Sequence, residues 1–528
     1  MSRVDAAGMK YLCEVSDLAE NRSVTLSAGS RNFIAIRMGD EISVLSHTCP
    51  HDGADLSDAR VCGGELICPL HHASFEISNG RVTGPPSRDN LTSYESRVED
   101  GKLYVGKPRD VPIPEVDVTE TNRVVIVGGG PAGLSCAEEL RRCGYPGGIT
   151  LITADRYAPY DRTLLSKEFI AAPGAPEPSI LRDPMYLKMI GIELMTDTRV
   201  TKIVREDRKL LIEDGTKIDY DTLVVATGSL SRGIDGANLD EPGIHSIRSY
   251  EDARRFSESL ERASHLTILG AGFIGLEVAG ALRDSGAAIT IVAEESLPLE
   301  QALGSNIGAA LFEHHTSQGV EFFLNSRVDG IDTAKRRLLL GDRSLEYELL
   351  LVAVGAVPDT RLLASAGLCG EGEAAEVGPD LRTSDTTVFA VGDVAGVRLP
   401  NGVSRFEHWT WAERRGIGAA RIIAGVPAAT DEIPFFWSQQ GEILVRSVGT
   451  INLGLNEVLL DAGGSRVGEA HEQIDRHGTN DLLVGFFLEG LLEGAVAIGH
   501  DAALLSVECR LRNGEPIDFD AFQSLPRS

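Results

Sequence analysis

Two cysteines and two histidines near the start of the chain have side chains and a spacing that suit metal binding. They form the pairs Cys49-x-His51 and Cys68-x-x-His71, separated by sixteen residues. Two thiolates and two imidazoles can hold one zinc ion. They can also hold a two-iron, two-sulfide cluster in which one iron takes both thiolates and the other takes both imidazoles. His72, the next residue, is expected to be an exposed loop residue and not a ligand.

Two glycine-rich turns later in the chain have the pattern that binds the pyrophosphate of a dinucleotide. Each follows an apolar strand and opens a helix, with three glycines spaced as G-x-G-x-x-G. The first glycine makes the tight turn, the second lets the pyrophosphate approach the backbone, and the third lets the helix pack on the strand. The two sets are Gly128, Gly130 and Gly133, and Gly270, Gly272 and Gly275.

An acidic residue after the second strand of such a unit can bond the ribose hydroxyls. In the first unit this residue is Asp155. In the second unit Ala293 follows the strand directly, and Glu294 and Glu295 come next, with no Arg or Lys among the following five residues. A 2′-phosphate has no cation to meet it there, so charge favours NADH over NADPH. Two such sites imply a resident flavin dinucleotide and a diffusible nicotinamide.

The elements that must position these residues change along the chain. Residues 11–105 contain runs such as "NFIAIRM" and "EISVLS", which predict an antiparallel β domain. The proline-spaced residues 107–121 predict a linker. From Arg123 onward strands, glycine turns and helices alternate, and the unit occurs twice, since "RVVIVGGGPAGLSCAEELRRCG" is matched by "HLTILGAGFIGLEVAGALRDSG". Strands return from about residue 431, and a closing helix is predicted near 501–512.

The composition limits the partners of the protein. The formal net charge of −28 argues against binding to nucleic acid or to an anionic membrane surface. No run of about 18 apolar residues is present, so no membrane-spanning helix is expected, and the first residues lack a hydrophobic signal core. A cytoplasmic protein is expected. The cysteines other than Cys49 and Cys68 are scattered and are interpreted as buried thiols.

The cysteine and histidine pairs in loops of a β domain resemble the Rieske domains, over about residues 9–106. The resemblance implies a [2Fe–2S] cluster with the two cysteines and two histidines as ligands. Respiratory members carry an extra disulfide between the two loops, where this chain has Ala54 and Leu70. The site therefore resembles the ferredoxin type, with fewer bonds tying its loops.

Residues 122–528 resemble the FAD-dependent ferredoxin reductases of oxygenase systems and the apoptosis-inducing-factor-like flavoproteins. The motifs that carry the resemblance are "GGGPAG", "PYDRTLLSK", "ATG", "GAGFIGLEVA", "VGAVPDT", "AVGDVA", "EHWTWAERRG" and "PFFWSQQ". The implied fold is multidomain: an all-β Rieske domain, then α/β glutathione-reductase-like FAD and NAD domains of double Rossmann type, then an α+β interface domain. The predicted divisions are 1–106 (Rieske), 107–121 (linker), 122–246 (FAD, first part), 247–356 (NAD(H)), 357–430 (FAD, second part) and 431–528 (interface).

The resemblance also implies roles for individual residues. Lys167 and Glu277 match a pair close to the flavin N5 and are the predicted catalytic residues. Asp155 stands where the family usually has Glu, Asp393 is expected at the ribityl chain, and Arg415 replaces a frequent Gln near the flavin edge. The other predicted cofactor-binding residues, besides the six glycines, are Arg162, Thr227, Gly228, Glu294, Gly355, His408, Trp409 and Trp437.

These features predict an NADH-dependent oxidoreductase that contains FAD and a [2Fe–2S] cluster. Disulfide reductases of similar fold have a Cys-x4-Cys pair where this chain reads "RTLLSKEF", so electrons need an exit other than a local dithiol. The predicted exit is the cluster, acting as the first acceptor within the chain, and then an oxygenase, a cytochrome P450 or a ferredoxin. Two alternatives stay open: a signalling flavoprotein like the apoptosis-inducing factors, and an NADH oxidase or peroxide-handling enzyme. Both a monomer and a homodimer are compatible with the sequence.

Overall fold

The structure is a computed structural model of the 528-residue chain. It describes residues 8–109, 118–119, 121–172, 174, 176–234, 239, 241–370, 372–399, 402–428, 433–451, 454–460, 466–467 and 481–526. These residues form two compact units. The first unit contains the described residues up to 109 together with 490–492 and 500–526, and the second contains those from 118 to 489 and 493–499. Most of the predicted linker lies outside the described residues.

The first unit contains two antiparallel sheets, as the alternating apolar runs predict. The strands of the larger sheet, in spatial order, are Lys10–Glu14, Lys102–Arg109, Ser93–Glu99, Glu41–Ser46, Arg31–Met38 and Ser23–Ala28. The strands of the smaller sheet are Arg60–Cys62, Glu65–Ile67, Ser74–Glu76 and Val82–Gly84. Side chains from both sheets, including Ile34, Leu45, Leu66 and Phe75, form one apolar core.

The first unit also contains the end of the chain. Here the helix Asp501–Arg512 and the short helix Phe519–Gln523 group with the N-terminal sheets. Leu505 of the longer helix packs against Cys62 and Ile67. The predicted closing helix is therefore confirmed. Its place differs from the expectation that residues 431–528 form one domain.

The second unit begins with a five-stranded parallel sheet. Its strands, in spatial order, are Ile192–Met195, Ile149–Ile152, Val124–Val127, Thr222–Val225 and Val388–Ala390. Strands such as "VVIV" are apolar at every position because a parallel sheet is covered on both faces. The helices Pro131–Arg142 and Trp409–Ala424 pack against each other beside this sheet.

A second parallel sheet repeats this order. Its strands are Glu321–Phe323, Ala288–Val292, His265–Leu269, Leu349–Val352 and Ile244–His245. The first four correspond, one by one, to the first four strands of the preceding sheet. The internal repeat predicted from the sequence is therefore a structural repeat. The helix Phe273–Ala281 of the second copy corresponds to Pro131–Arg142 of the first.

A six-stranded sheet follows the two parallel sheets. Its strands, in spatial order, are Phe435–Gln440, Ile443–Gly449, Leu491–Ile498, Leu482–Leu488, Asn456–Leu460 and Arg466–Val467. The first of these strands packs against the helices Phe273–Ala281 and Trp409–Ala424, so it lies where both nucleotide-binding units can meet it.

Shorter elements complete the described residues. The helices are Glu168–Ala171, Pro184–Met189, Tyr250–Leu260, Glu300–Leu303, Ser305–Ser317 and Arg361–Ser365, with 3₁₀ turns at Val15–Asp17 and Gly392–Val394. The small sheets consist of Val200–Val204, Lys209–Ile212 and Lys217–Asp219; of Gly330–Asp332, Arg337–Leu340 and Arg343–Glu346; of Ser229–Ser231 and Ala356–Pro358; and of Ala375–Val377, Ala395–Leu399 and Gly402–Ser404. In the described part of the chain, no helix has the length and apolar character that a membrane crossing requires.

Candidate functional site

The two loops that carry the cysteine and histidine pairs have the same backbone hydrogen bonds. In the first loop Cys49 N–H donates to Ala54 O at 2.8 Å, and Gly53 N–H donates to Cys49 O at 3.0 Å. In the second loop Cys68 N–H donates to Ala73 O at 2.9 Å, and His72 N–H donates to Cys68 O at 3.2 Å. Each loop folds back on its own cysteine, which presents the ligands from a closed turn.

The four predicted ligands lie as two pairs. Cys49 and Cys68 are 2% and 1% exposed, belong to the apolar core of the first unit, and hydrogen-bond to each other. That hydrogen bond, followed by burial, raises the pKa of the Cys49 thiol. His51 is exposed and His71 is half-buried, and their Nδ1 atoms are 3.2 Å apart.

This pairing suits a two-iron cluster better than a single ion. In a Rieske centre one iron takes two thiolates and the other takes two imidazole nitrogens, so ligands of each type are needed in twos. The two buried cysteines and the two neighbouring histidines therefore provide the donor set of a two-iron cluster.

The expectation that His72 is an exposed residue was wrong. Its side chain is completely buried, and Nδ1 hydrogen-bonds to Oε2 of Glu508 in the C-terminal helix. No local pattern shows this contact, because the two residues lie near opposite ends of the chain.

A cavity of about 1140 Å³ in the second unit lies at the first glycine turn. Gly128 has φ +128°, and a Cβ there would meet Ala226 O at 2.0 Å, so the turn requires glycine. A Cβ on Gly130 would meet nothing within 4 Å, which leaves open the space over the start of the helix Pro131–Arg142. An open second glycine at a helix N-terminus is what a pyrophosphate requires.

The predicted cofactor residues divide between the cavity and its surroundings. Those that line the cavity are Gly128, Gly130, Asp155, Arg162, Lys167, Thr227, Gly228, Glu277, Asp393, His408, Trp409 and Trp437. Those outside its lining are Gly133, Gly270, Gly272, Gly275, Glu294 and Gly355. Gly133 packs on the Gly128 carbonyl, and Arg415 lies over the ring of Trp411 at 4.0 Å rather than in the cavity wall.

Lys167 and Glu277 form an ion pair in the cavity wall. Lys167 Nζ lies 2.9 Å from Glu277 Oε2 and donates to Thr163 O at 2.7 Å. Glu277 is 7% exposed and also accepts hydrogen bonds from Ser166 Oγ at 2.5 Å and Ser438 Oγ at 2.7 Å. These three donors on one buried carboxylate offset its desolvation and fix its orientation.

Two further carboxylates in the cavity wall have arginine partners. Asp155 Oδ2 lies 2.5 Å from Arg162 Nη2. Asp393 Oδ2 accepts from Arg248 Nη2 at 2.8 Å and from Ser229 Oγ at 2.9 Å. Sequence reasoning missed Arg248 and the serines, although Ser166 and Ser438 lie in the motifs "PYDRTLLSK" and "PFFWSQQ", which pointed to the site.

Aromatic rings form another part of the wall. The His408 ring stacks on Phe436 with centroids 4.3 Å apart, and Phe436 meets Phe273 edge-on at 5.2 Å. Burial lowers the pKa of His408 from 6.5 to about 4, so its ring is neutral near pH 7. Trp409 and Trp437 complete this apolar, stacking surface.

The second glycine turn has the backbone of the first. Gly270 has φ +105°, and a Cβ there would meet Ala353 O at 2.5 Å. Gly272 has extended φ and ψ, and a Cβ on it would make only an ordinary contact of 3.9 Å. Glu294 is exposed just beyond the strand Ala288–Val292, at the carboxyl edge of the parallel sheet.

Comparison with known families decides the identity of this fold. Residues 122–416, more than half of the chain, match the model described as "Pyridine nucleotide-disulphide oxidoreductase", and residues 8–95 match "Rieske [2Fe-2S] domain". The chain belongs to the pyridine nucleotide-disulphide oxidoreductase family. FAD and NAD(H) are the cofactors of this family, and the Rieske domain adds a [2Fe–2S] cluster, so the cofactor predictions are confirmed.

Similar proteins support this assignment of the family. "Apoptosis-inducing factor 3" of Mus musculus is 29% identical over 81% of this chain and 73% of its own length. The ferredoxin–NAD(+) reductase subunit of a Pseudomonas putida benzene 1,2-dioxygenase system is 32% identical over 71% of this chain and 89% of its own length. The solved covalent complex of putidaredoxin reductase with putidaredoxin has a TM-score of 0.69 and 25% identity, over 77% of this chain and 96% of that one.

Proposed function

We propose that this family member is an NADH-dependent oxidoreductase of the ferredoxin–NAD(+) reductase type, which delivers electrons through its own [2Fe–2S] cluster to a protein acceptor. One observation carries the proposal. A single chain contains the four-ligand cluster site, a cavity at the first dinucleotide-binding turn, and a second turn with the same backbone outside the lining of that cavity. The same reaction class is supported by the name of the Pseudomonas putida relative, a reductase subunit of a dioxygenase system, and by the likeness to putidaredoxin reductase.

The residues of the cavity bind and orient the cofactors. When bound, FAD supplies hydride acceptance and release of single electrons, and the cluster supplies one-electron transfer. The open face of Gly130 admits the pyrophosphate, and Asp155 accepts hydrogen bonds from the ribose hydroxyls. Asp393, held by Arg248 and Ser229, accepts from hydroxyls of the ribityl chain.

Lys167 and Glu277 act on the charge that develops during hydride transfer. The Lys167 ammonium places a positive charge in the cavity wall, where it stabilises negative charge on the reduced ring system. Glu277, fixed by Ser166 and Ser438, holds that ammonium in place. The pair therefore provides preorganised electrostatics rather than a nucleophile.

The aromatic wall limits water and positions the rings. His408 stays neutral near pH 7, so it adds no charge beside the cavity, and its stacked ring with Phe436 offers an apolar surface. Close approach of two rings in a dry site supplies proximity and orientation, which lower the barrier of a hydride transfer.

Glu294 supports a preference for NADH. It is the exposed carboxylate at the end of the strand Ala288–Val292, and it repels a 2′-phosphate while accepting from a 2′-hydroxyl. We propose a higher kcat/KM for NADH than for NADPH.

The six-stranded sheet that begins with the strand Phe435–Gln440 is proposed to form the interface domain. The protein is proposed to be a monomer or a homodimer and to be located in the cytoplasm.

A second function is favoured by one comparison. The match to "Apoptosis-inducing factor 3" spans 81% of the chain, so a signalling flavoprotein is the alternative. Turnover separates the two, because a reductase passes electrons rapidly to a one-electron protein acceptor and a signalling protein does not.

The cofactor content of the purified protein tests the proposal. We expect FAD with two irons and two acid-labile sulfides per chain, and steady reduction of a ferredoxin by NADH. Cys68→Ser should remove the iron and leave the FAD. Zinc in place of iron in anaerobically prepared protein, or no turnover with one-electron acceptors, would contradict the proposal.

A further inference from the structure

His72 occupies a backbone position that favours glycine. It is the fourth residue after Cys68, as Gly53 is the fourth residue after Cys49, and both have left-handed backbones, with φ +56° and +68°. Glycine adopts this conformation freely, whereas a residue with a side chain adopts it at a cost. The second loop therefore has a histidine at a position where glycine, as in the first loop, would cost less free energy. We infer that contacts of the histidine side chain compensate for this cost.

That side chain reaches a carboxylate in the C-terminal helix of the same unit. His72 Nδ1 hydrogen-bonds to Glu508 Oε2, and the side chains of both residues are 0% exposed. A buried carboxylate costs free energy unless charged or polar groups compensate it. The folded protein therefore depends on His72 and other polar groups to offset the free-energy cost of burying the Glu508 carboxylate.

Arg512 extends the contact to the other end of the loop. One helical turn after Glu508, its Nη2 forms an ion pair with Glu508 Oε1, and its Nη1 donates to Glu65 Oε2 at 3.2 Å. Glu65 opens the strand that leads into Cys68. One turn of the C-terminal helix therefore binds the second loop both before Cys68 and after His71.

Apolar packing holds the helix against the same hairpin. Leu505 and Cys509 pack on Cys62 and Ile67, which belong to the strands Arg60–Cys62 and Glu65–Ile67. Such contacts resist sliding of the helix, so its polar groups meet the loop in one register.

We propose that Glu508, together with Arg512, is a positioning residue for the cluster, which locks the loop of Cys68 and His71 from a helix at the far end of the chain. This inference rests on the four-ligand cluster of the proposed function. It explains how the loop is held although Ala54 and Leu70 rule out a disulfide between the two loops. It also makes the C-terminal helix part of the cluster-binding unit.

The reduction potential of the cluster in the full-length protein tests this role. Glu508→Gln removes a buried negative charge beside the residue that follows His71, and a less negative environment favours the reduced cluster. We expect the potential to rise and the backbone amides of residues 65–76 to exchange with deuterium several-fold faster. Glu508→Asp keeps the charge but shortens the reach, so its potential should stay near that of the wild type while the exchange is faster.

Glu515→Gln is the matched control. Glu515 follows the same helix, is half exposed and pairs with Arg510 at 3.5 Å. It should leave the potential and the exchange unchanged. FAD content, read from the flavin absorbance, reports on the folding of the second unit in every variant.

Each outcome either supports or overturns the positioning role of Glu508. A raised potential with faster exchange in Glu508→Gln supports the inference, and wild-type values for both overturn it. If Glu508→Gln retains FAD but assembles no cluster, Glu508→Asp decides: faster exchange of residues 65–76 supports the inference, and wild-type exchange overturns it. Wild-type protein without iron would refute the proposed function itself, which is a separate result.

Discussion

Lys167 Nζ lies 2.9 Å from Glu277 Oε2, and the pair joins the two nucleotide-binding units of the chain. Lys167 belongs to the first nucleotide-binding unit, whereas Glu277 lies on the helix Phe273–Ala281 of the second nucleotide-binding unit. Ser438 Oγ, from the strand Phe435–Gln440, donates to the same carboxylate at 2.7 Å. Three parts of the second unit thus meet at one carboxylate in the wall of the cavity.

Lys167→Ala should slow reduction of the flavin by NADH on the order of 10²-fold without releasing FAD, because it removes a positioned charge but not the pyrophosphate site. Stopped-flow absorbance of the flavin measures the rate. Lys209→Ala, which removes a surface lysine paired with Asp219, is the control and should have no effect. An unchanged rate in Lys167→Ala would exclude the proposed role.

Two glycine variants should separate the two dinucleotides. A Cβ on Gly130 or Gly272 meets no close neighbour, and both backbones suit alanine, so Gly130→Ala and Gly272→Ala should fold. Gly130→Ala should lose FAD, because the methyl group occupies the path of the pyrophosphate. Gly272→Ala should keep FAD and raise the KM for NADH about tenfold or more.

Gly128→Ala is the contrasting variant. It places a Cβ 2.0 Å from Ala226 O at φ +128°, so it should fail to fold rather than merely lose the cofactor. Circular dichroism and flavin content distinguish these results. Full FAD content in Gly130→Ala would show that the pyrophosphate does not lie at this turn.

Stability of the second unit should fall in mild acid. His315 is 1% exposed, and burial lowers its pKa from 6.5 to about 4. Between pH 6.5 and pH 4 the unfolded chain binds a proton at His315 that the folded chain does not bind. The contribution of His315 to the free energy of unfolding is therefore fully present above pH 6.5 and is lost as the pH falls towards 4. At pH 5 this residue alone should reduce the free energy of unfolding by about 2 kcal/mol.

Denaturant titrations at pH 7 and pH 5, followed by flavin fluorescence, measure this difference. His315→Phe removes the titrating group and should make the difference smaller than in the wild type. If the free energy of unfolding fell equally in both proteins between pH 7 and pH 5, His315 would not be the group responsible.

Cutting the chain between residues 110 and 117 should not separate the cluster from the flavin. A simple linker predicts a free Rieske piece and slow reduction of its cluster at micromolar concentration. However, the helix Asp501–Arg512 belongs to the first unit and remains covalently attached to the flavoprotein chain. The cut protein should therefore elute as one species and keep its rate of cluster reduction.

The same cut in Glu508→Ala is the matched test of this retention. Removing Glu508 leaves His72 and Arg512 without one shared partner, and breaking a buried ion pair costs roughly 3–5 kcal/mol. The two pieces should then separate more readily on gel filtration. Separation of the cut wild-type protein would show that the helix does not retain the domain.

The sequence predicts what depends on local spacing. The ligand pairs, the two glycine turns and the repeated strand order are visible because each occupies a short, ordered stretch, as with Gly128 and Gly130. Contacts between residues that are distant in the sequence leave no local pattern, so they could not be predicted. Arg248 on Asp393, Ser438 on Glu277 and Glu508 on His72 each join segments that only the folded chain brings together.

His72 shows why one expectation failed. Its neighbours indicate a polar loop, and polar loops are usually exposed. Whether a loop residue is buried depends on what packs on it, and here the covering element lies more than four hundred residues away in the sequence. The grouping of the C-terminal helix with the N-terminal sheets was missed for the same reason.

Anaerobic reduction of the intact protein by NADH, followed by electron paramagnetic resonance, measures whether electrons pass from FAD to the cluster. We expect the signal of a reduced Rieske cluster to appear within one turnover, in amounts approaching one per chain. Cys68→Ser should show no such signal while its flavin is still reduced. A cluster that stays oxidised while the flavin of the same protein is fully reduced would contradict electron transfer from FAD to the cluster.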